Sequence, residues 1–284
     1  MTREIGPARG ILHPHLPQGE FRHERRAPAA ALSGVVQHLW HVAWDLTGLP
    51  AQQQETLPHP NVHLVIERGQ TRIHGIHGAR FTRRLEGRGC VFGVKFRSGG
   101  FHPFFKAPVS ALMDRSVSVE EVFGDDAATL EDEVLACADT ASMAAVAERF
   151  LLRHLPPPDP VVEQVSALVA MIERERSLTS VDRLARRSGV PKRTLQRLFQ
   201  HYVGVGPKWV INRYRLHEAI AQLQQGHAVA WAEFALELGY FDQAHFIRDF
   251  RRLVGVAPGA YWRAEGGSVE PPSPPQRARR RPAP

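Results

Sequence analysis

Cysteine is almost absent from this chain, since only Cys90 and Cys137 occur among its 284 residues, and they lie far apart. No Cys-x-x-Cys pair and no Cys/His spacing typical of structural zinc is present, so a zinc-based fold is excluded. Two buried free thiols in a reducing compartment are expected, with a disulfide between them as the alternative.

Long apolar runs are also missing. No stretch of the sequence approaches the roughly 20 residues of a membrane-spanning helix. The N-terminus carries Arg, Glu and Pro where a signal peptide has its apolar core. The composition therefore predicts a cytoplasmic protein with no membrane segment.

Catalytic motifs are equally scarce. Neither cysteine has a nucleophile elbow or a neighbouring base, and the segment 97–101 is too short for a phosphate-cradling glycine loop. The chain is predicted not to be an enzyme and to need no cofactor. The alternative is an enzyme or DNA-repair protein that uses a DNA-binding domain only for targeting, and turnover of a ligand by the pure protein would favour it.

What the chain does contain is one segment that occurs twice, about fifty residues apart. Gly189 and Arg197 of the first copy match Gly239 and Arg248 of the second. Each copy reads as a helix, a tight turn at the glycine and a second helix. The intervening segment 207–223 predicts a single helix, about 25 Å long at ~1.5 Å per residue. Two equivalent elements at a fixed separation suit the regular repeat of DNA.

The ends of these helices carry recognisable capping residues. Thr179 or Ser180 can cap the first helix of copy one, and Asp242 can cap the second helix of copy two. Pro191 is expected in the first turn of the second helix of copy one, where its missing N–H costs nothing.

The second helix of each copy has one polar face. A helix that exposes Arg and Gln near its N-terminus suits the major groove, because Arg can pair with guanine and Gln with adenine. A plain helical bundle with solvated polar faces is the alternative, and duplication in register argues against it. The polar faces comprise Lys192, Arg193, Gln196 and Arg197 in copy one, and Gln243, Ala244, Ile247 and Arg248 in copy two.

Positive charge is concentrated in the duplicated region. Residues 177–263 hold thirteen Lys and Arg against six Asp and Glu, whereas residues 1–176 hold nineteen against twenty-one. The basic excess thus lies where a phosphate-binding surface requires it.

Four runs in this region carry a family resemblance. They are Leu195-Gln196-Arg197-Leu198-Phe199, Ala235-Leu236-Glu237-Leu238-Gly239-Tyr240, Asp242-Gln243-Ala244-His245-Phe246 and Gly255-Val256-Ala257-Pro258. Residues 177–263, about a third of the chain, resemble the DNA-binding domain of AraC/XylS-type transcription regulators. The resemblance implies two helix-turn-helix units that share a linker helix and enter adjacent major grooves of double-stranded DNA. It also admits RNA polymerase, a small-molecule effector and a second copy of the chain as partners.

Site residues follow from the resemblance by motif position. Base contacts are expected from Arg193, Gln196, Arg197, Gln243, Ala244 and Arg248. Backbone contacts are expected from Lys192, Thr194, His245 and Arg251. One departure is Pro191, which stands where the family commonly has a capping Ser.

The remainder of the chain predicts a second domain, giving an α+β fold in two parts. Short β-branched and aromatic runs between residues 21 and 105 predict a β-barrel or sandwich, followed by accessory helices. The C-terminal part is predicted to be all-α. The predicted parts are a partly ordered arm (1–20), a β-rich sensor domain (21–155), a Pro-rich linker (156–160), the DNA-binding domain (161–264) and a disordered tail (265–284).

The β-rich part resembles, more generally, the cupin-like sensor domains that precede such DNA-binding domains, through the segments 57–64 and 93–101. Aromatic residues there could line a ligand pocket, although such residues are more often simply core. Lys95 with Arg97 could clamp an anion, or could equally point into solvent or pair with acidic helices. His63 and Glu67 share a strand face, but no further ligand completes a metal site, so no metal is predicted. The candidate pocket residues are Trp40, His63, Phe92 and Lys95.

Overall fold

The computed structural model describes residues 10–12, 18–226 and 230–266. Most of the predicted arm (1–20) and nearly all of the predicted tail (265–284) lie outside these ranges. The strands are β1 (Glu20–Arg26), β2 (Val36–Asp45), β3 (Gln52–Thr56), β4 (His63–Ile66), β5 (Arg72–His74), β6 (Phe81–Leu85), β7 (Arg88–Phe96) and β8 (Ser116–Val117).

Six of these strands form one antiparallel sheet in the order β1-β2-β7-β4-β5-β8, while β3 and β6 form a two-stranded sheet. The larger sheet ends at β1 and β8, which do not pair with each other, so within the described residues it is open. The expected barrel is therefore wrong, and the β-rich part is an open sheet with a small second sheet.

The two faces of the large sheet pack into different apolar clusters. Leu39, Leu64 and Val94 lie in register on neighbouring strands and are fully buried in the main core. Residues one position away face the opposite side, where Trp40 and Val65 pack with Leu85 of β6 in a smaller apolar cluster. Side-chain alternation along each strand produces this division.

The α-helices come after β7 in the chain, and β8 lies between α1 and α2. Short 3-10 segments and one π-helical turn also occur. They are α1 (His102–Phe105), α2 (Glu120–Phe123), α3 (Leu130–Leu135), α4 (Thr140–Arg153), α5 (Pro160–Arg174), α6 (Val181–Ser188), α7 (Lys192–Leu198), α8 (Pro207–Leu223), α9 (Trp231–Glu237), α10 (Gln243–Val254) and α11 (Pro258–Ala264). The predicted helix 207–223 is confirmed with the bounds expected for it. A 3-10 segment (Gly124–Ala127) precedes the short helix α3.

The apolar core does not divide at the proline-rich segment 156–160. Phe92 of β7 belongs to the same buried cluster as Leu184 of α6 and Leu195 of α7. A second cluster contains α9, α10 and the end of α8 together with Leu12 and Leu57 from the N-terminal half. The domain bounds given above stay a prediction, since the packing is continuous across them.

Hydrogen bonds also link the two halves. The buried Arg213 of α8 donates to the carbonyl oxygens of Pro58 (3.1 Å) and Gly78 (2.6 Å). The hydroxyl of Tyr261 donates to the carbonyl of Leu12. Because a buried guanidinium needs acceptors for its donors, Arg213 fixes α8 against the loops of the β-rich half.

Both cysteines are free, and both are half-buried where full burial was expected. Among the helices of the described ranges, none combines the length and apolarity needed to cross a lipid bilayer.

Candidate nucleic-acid interface

The first helix-turn-helix unit consists of α6 and α7. The Ser180 hydroxyl accepts the backbone N–H of Arg183 (3.2 Å), so Ser180 is the residue that caps α6. Gly189 ends the helix in the left-handed conformation, with φ at 70°. Pro191 lies at the N-cap of α7, one position before the predicted first turn, and provides no side-chain cap. Because α7 lacks a side-chain cap, its first backbone N–H groups have no side-chain partner there.

The polar face of α7 is solvent-exposed. Arg193, Gln196 and Arg197 are all exposed, and within residues 10–12, 18–226 and 230–266 their side chains make no hydrogen bond or ion pair. Lys192 pairs instead with Asp182 of α6, and Thr194 is half-buried. Three of the four predicted polar residues are therefore available to a partner.

The second unit consists of α9 and α10. Asp242 caps α10 as predicted, because its carboxylate accepts the backbone N–H of His245 at 2.7 Å. The side chains expected to meet DNA, namely Gln243, Ala244, His245, Arg248 and Arg251, are all exposed. Phe246 and Phe250 on the other side of α10 are fully buried. The cap and the buried face together fix which side of α10 points outward.

Phe241 is a residue that sequence reasoning missed. Its side chain is 87% exposed immediately before the Asp242 cap, whereas the preceding Tyr240 is buried. Leu236 of α9 is also 60% exposed. The sequence signal for this exposure is the pair of adjacent aromatic residues before the helix cap, because two neighbouring side chains rarely both enter one core.

The two units contact each other through the turn of the second one. Gly239 has a φ of 81°, and a Cβ atom there would lie 2.3 Å from the Cβ of Thr179. Only glycine allows this approach without displacing the segment before α6. Lys208 at the start of α8 donates to the Thr179 carbonyl (3.3 Å), and Arg176 pairs with Glu218 of α8 (2.6 Å). These contacts hold the two recognition helices at one separation.

Two shallow clefts flank the units. One, of about 330 Å³, is lined by Arg183, Arg186 and Arg187 with Glu175. The other, of about 280 Å³, lies between the units and includes Glu218.

The predicted ligand pocket in the β-rich half is only partly assembled. Lys95 is opposite His63 in the strand register, and the rings of Trp40 and His63 are 6.3 Å apart. Phe92 lies on the other face of β7, within the main core, so it does not join them. The Arg97 Nε donates to the Ser33 carbonyl at 2.6 Å, so one donor of the suggested clamp by Lys95 and Arg97 is engaged within the protein.

The ionisation of this region is strongly shifted. Burial, reinforced by the charges of Lys95 and Arg25, lowers the pKa of His38 to about 3. Burial also lowers the pKa of Lys95 to about 7 and that of His74 to about 4. No group of three or more His, Cys, Asp or Glu side chains positioned to hold a metal ion occurs in the described ranges.

Two regions of the chain match known family models. Residues 184–264 match the family model "Helix-turn-helix domain", and residues 24–118 match a "Domain of unknown function (DUF6597)". The chain is 33% identical over 122 residues to the HTH-type transcriptional regulator GlxA of Rhizobium meliloti, covering 43% of this chain and 35% of GlxA. It is 34% identical over 105 residues to a putative AraC-like transcription regulator of Streptomyces lividans, covering 36% of this chain and 33% of that protein.

A third relative is the HTH-type transcriptional activator AarP of Providencia stuartii, 32% identical over 88 residues, which span 31% of this chain and 64% of AarP. The chain covers about a third of the length of each of the first curated relatives that it matches. The solved structure of ToxT from Vibrio cholerae aligns over 87% of this chain and 99% of the ToxT chain, at 12% identity and a TM-score of 0.34. This likeness is too slight to carry an argument.

The matched relatives are named as transcription regulators. Residues 184–264 are thus similar to a helix-turn-helix family, and the relatives matched by the chain include a putative AraC-like transcription regulator.

Proposed function

We propose that this protein is a sequence-specific transcription regulator that places α7 and α10 in successive major grooves of double-stranded DNA. The observation that carries the proposal is a pair of equivalent, exposed helices held together by the Gly239 contact. Their Arg197 and Arg248 side chains have no hydrogen-bond or ion-pair partner among the described residues. Recognition helices one DNA turn apart, roughly 34 Å, read half-sites about 10 base pairs apart.

Within this proposal the exposed side chains divide into two roles. The direct base contacts come from Arg193, Gln196, Arg197, Gln243, Ala244 and Arg248. The backbone contacts come from Lys192, Thr194, His245 and Arg251. Lys192 must release Asp182 to reach a phosphate, which makes its contribution smaller than that of an unpaired lysine.

The half-sites should differ in sequence. The first unit exposes two arginines and a glutamine, which suit guanine and adenine. The second exposes Ala244 among its readout residues, and its methyl group suits the methyl group of thymine. One molecule of this protein therefore reads an asymmetric site of roughly 15–20 base pairs.

The remaining parts of the proposal concern partners and place of action. The β-rich half binds a small-molecule effector or a second copy of the chain, and RNA polymerase is the target of regulation. A bacterial regulator of chromosomal genes acts in the cytoplasm. An effector changes DNA binding only if it binds one conformation more tightly than the other.

Selection of bound duplexes from a random-sequence pool tests the proposal. The full-length protein should enrich one asymmetric motif containing two half-sites about 10 base pairs apart. Enrichment of no motif, at a salt concentration where the protein binds DNA, would contradict sequence-specific recognition. The alternative of an enzyme that uses the helical domain for targeting would be favoured by turnover of a bound ligand.

A further inference from the structure

The two copies of the duplicated segment end in the same way. Copy one reads Gly204-Val205-Gly206-Pro207, and copy two reads Gly255-Val256-Ala257-Pro258. Gly204 ends the π-helical turn (Phe199–Val203) that follows α7, and Gly255 ends α10. Both glycines have a φ of 94°, and the N–H of each donates to a helix carbonyl at 2.9 Å. The two glycines are therefore equivalent points on the two units.

One segment of the β-rich half lies against the chain at both of these glycines. It is the bridging segment (75–80), which connects β5 to β6. A Cβ atom at Gly204 would lie 3.0 Å from the Cδ1 of Ile76, and a Cβ atom at Gly255 would overlap the Arg80 guanidinium. The bridging segment thus approaches both equivalent points closely, and the lack of a side chain at each glycine leaves room for it.

Hydrogen bonds join the bridging segment to the second unit and to the helix between the units. The Arg80 Nη1 donates to the carbonyl of Val254, the last residue of α10, at 2.6 Å. The Gly78 carbonyl accepts a hydrogen bond from Arg213 of α8, also at 2.6 Å. An arginine that binds a carbonyl at the end of a helix also suits the negative end of the helix dipole. The bridging segment therefore contacts α8, α10 and the end of the first unit at once.

The bridging segment is itself anchored in the β-rich half. The Asp114 carboxylate accepts the N–H of Gly78 at 2.7 Å, and the N–H of Asp114 donates to the Ile76 carbonyl at 2.9 Å. The Arg80 Nε lies 3.3 Å from the Glu55 carboxylate of β3. Ile76 is buried in the main core. A segment anchored at several points can hold its neighbours at a fixed separation, whereas a loosely held loop would move with them.

The contacts of the bridging segment leave the predicted DNA-reading face of α10 open. Gln243, Ala244 and Arg248 are exposed, while Arg80 is bonded to Val254 at the opposite end of the helix. The contact is therefore compatible with DNA binding, because it fixes the position of α10 without covering its exposed face.

We propose that the bridging segment sets the separation of the two recognition helices, and that Arg80 thereby restricts the half-site spacing that the protein accepts. The inference rests on the proposed function, and Arg80 is in it a positioning residue that acts through α10. One added base pair moves a half-site by about 3.4 Å and turns it by about a tenth of a helical turn. Two helices held at one separation cannot follow that change, whereas loosely joined helices can.

Duplexes whose two half-sites are moved apart or together by one base pair test the proposal, with binding measured by fluorescence anisotropy. For the unaltered full-length protein, each change should weaken binding by at least about tenfold relative to the selected spacing. Arg80→Met keeps the side-chain stem and removes the donor to Val254, so the same changes should weaken its binding by less than about threefold. The ratio between spacings is measured within one variant, so a smaller folded fraction would not alter it.

Arg84→Met is the matched control. Arg84 lies on β6 and pairs with the Glu86 carboxylate at 3.1 Å, so this change also removes an arginine–carboxylate pair within the β-rich half. It should retain the full spacing penalty of the unaltered protein. An equal penalty in Arg80→Met and in the unaltered protein would overturn the proposal.

Hydrogen exchange in the absence of DNA gives an independent readout. Arg80→Met should accelerate amide exchange over residues 250–257 by at least about threefold, because the last turn of α10 loses its contact at Val254. Arg84→Met should leave that exchange unchanged, and an equally small effect of Arg80→Met would overturn the proposal. Failure of the unaltered protein to select any motif would contradict the proposed function, and the exchange comparison would still decide whether Arg80 holds α10.

Discussion

At the scale of single residues, the surroundings of each exposed arginine decide whether it can read DNA. Arg187 of α6 has its Nε bonded to the Glu175 carboxylate at 2.9 Å. Arg197 and Arg248 have no such bond within the described ranges, although they are equally exposed. An arginine without an intramolecular partner can offer its whole donor fork to a guanine.

Arg197→Ala and Arg248→Ala should each weaken binding to the selected duplex by ~1–3 kcal/mol and relax the preference at one base position. Arg187→Ala is the control and should change affinity little, because its guanidinium is engaged within the protein. Fluorescence anisotropy on duplexes with single base changes provides the measurement. A loss that is equal for all sequences would show that these arginines contact phosphate.

The sequence alone predicted the Asp242 cap of α10, but it grouped Phe92 wrongly with the other candidate pocket residues. Lys95 and Phe92 are three positions apart on one strand, an odd spacing that places them on opposite faces. The alternation of side chains along a strand is therefore enough to predict that Phe92 and Lys95 lie on opposite faces. The juxtaposition of Lys95 with His38 and His63 depends on strand register over long separations, which a single sequence does not specify.

At the scale of secondary-structure elements, the two recognition helices begin differently. Asp242 caps α10 through its side chain, whereas Pro191 precedes α7 without a side-chain hydrogen bond. A helix with its first N–H groups satisfied is better ordered at its N-terminus. The second unit is therefore expected to have the more firmly fixed N-terminus.

Asp242→Ala should lower the free energy of unfolding by ~1 kcal/mol, because the N–H of His245 loses its acceptor. Asp242→Asn retains an acceptor and should lose far less. Pro191→Ser, the converse change, supplies a cap to α7 and should raise stability. Urea denaturation of the full-length variants measures all three, and equal losses in Asp242→Ala and Asp242→Asn would contradict a capping role.

Elements with a strong periodic pattern were predictable, and polar strands were not. The helix α8 was predicted with its observed bounds from its apolar spacing and the proline at its start. The strands β1 (Glu20–Arg26) and β3 (Gln52–Thr56) consist mainly of charged or amide side chains, which favour loops in a local reading. They are strands because they pair with β2 and β6, a tertiary effect that outweighs local propensity.

At the scale of the whole molecule, the halves are packed together more closely than a proline-rich linker suggests. Leu12 and Leu57 complete the core of the second unit, and Arg213 ties α8 to the loops of the sheet. Sequence reasoning placed a boundary at residues 156–160 because composition changes there, but composition carries no information on long-range packing. Any conformational change in the β-rich half therefore has direct contacts through which to reach α8 and the second unit.

The free energy of unfolding should begin to fall at pH values well above those at which carboxylates usually titrate. Burial is the first cause that lowers the pKa of seven histidines, with His38 near 3 and His74 near 4. Below about pH 6.5 the unfolded chain binds protons that these folded histidines refuse, so the free energy of unfolding falls as pH decreases from 6.5 towards 4. The histidines are His23, His38, His41, His63, His74, His77 and His102.

Urea midpoints measured at several values between pH 7 and pH 4 test this dependence. The double variant His38→Gln and His74→Gln should show a flatter dependence, because it removes two groups that titrate only in the unfolded chain over this range. Identical slopes for the variant and the unaltered protein would show that the acid sensitivity arises elsewhere.

The central claim is that one molecule of this protein engages two successive major grooves through α7 and α10. Hydroxyl-radical footprinting of the full-length protein on its selected duplex measures this most directly. The account predicts two protected stretches about 10 base pairs apart on one side of the DNA, with Arg248→Ala weakening only the stretch bound by α10. A single protected stretch, or equal weakening of both stretches by Arg248→Ala, would contradict it.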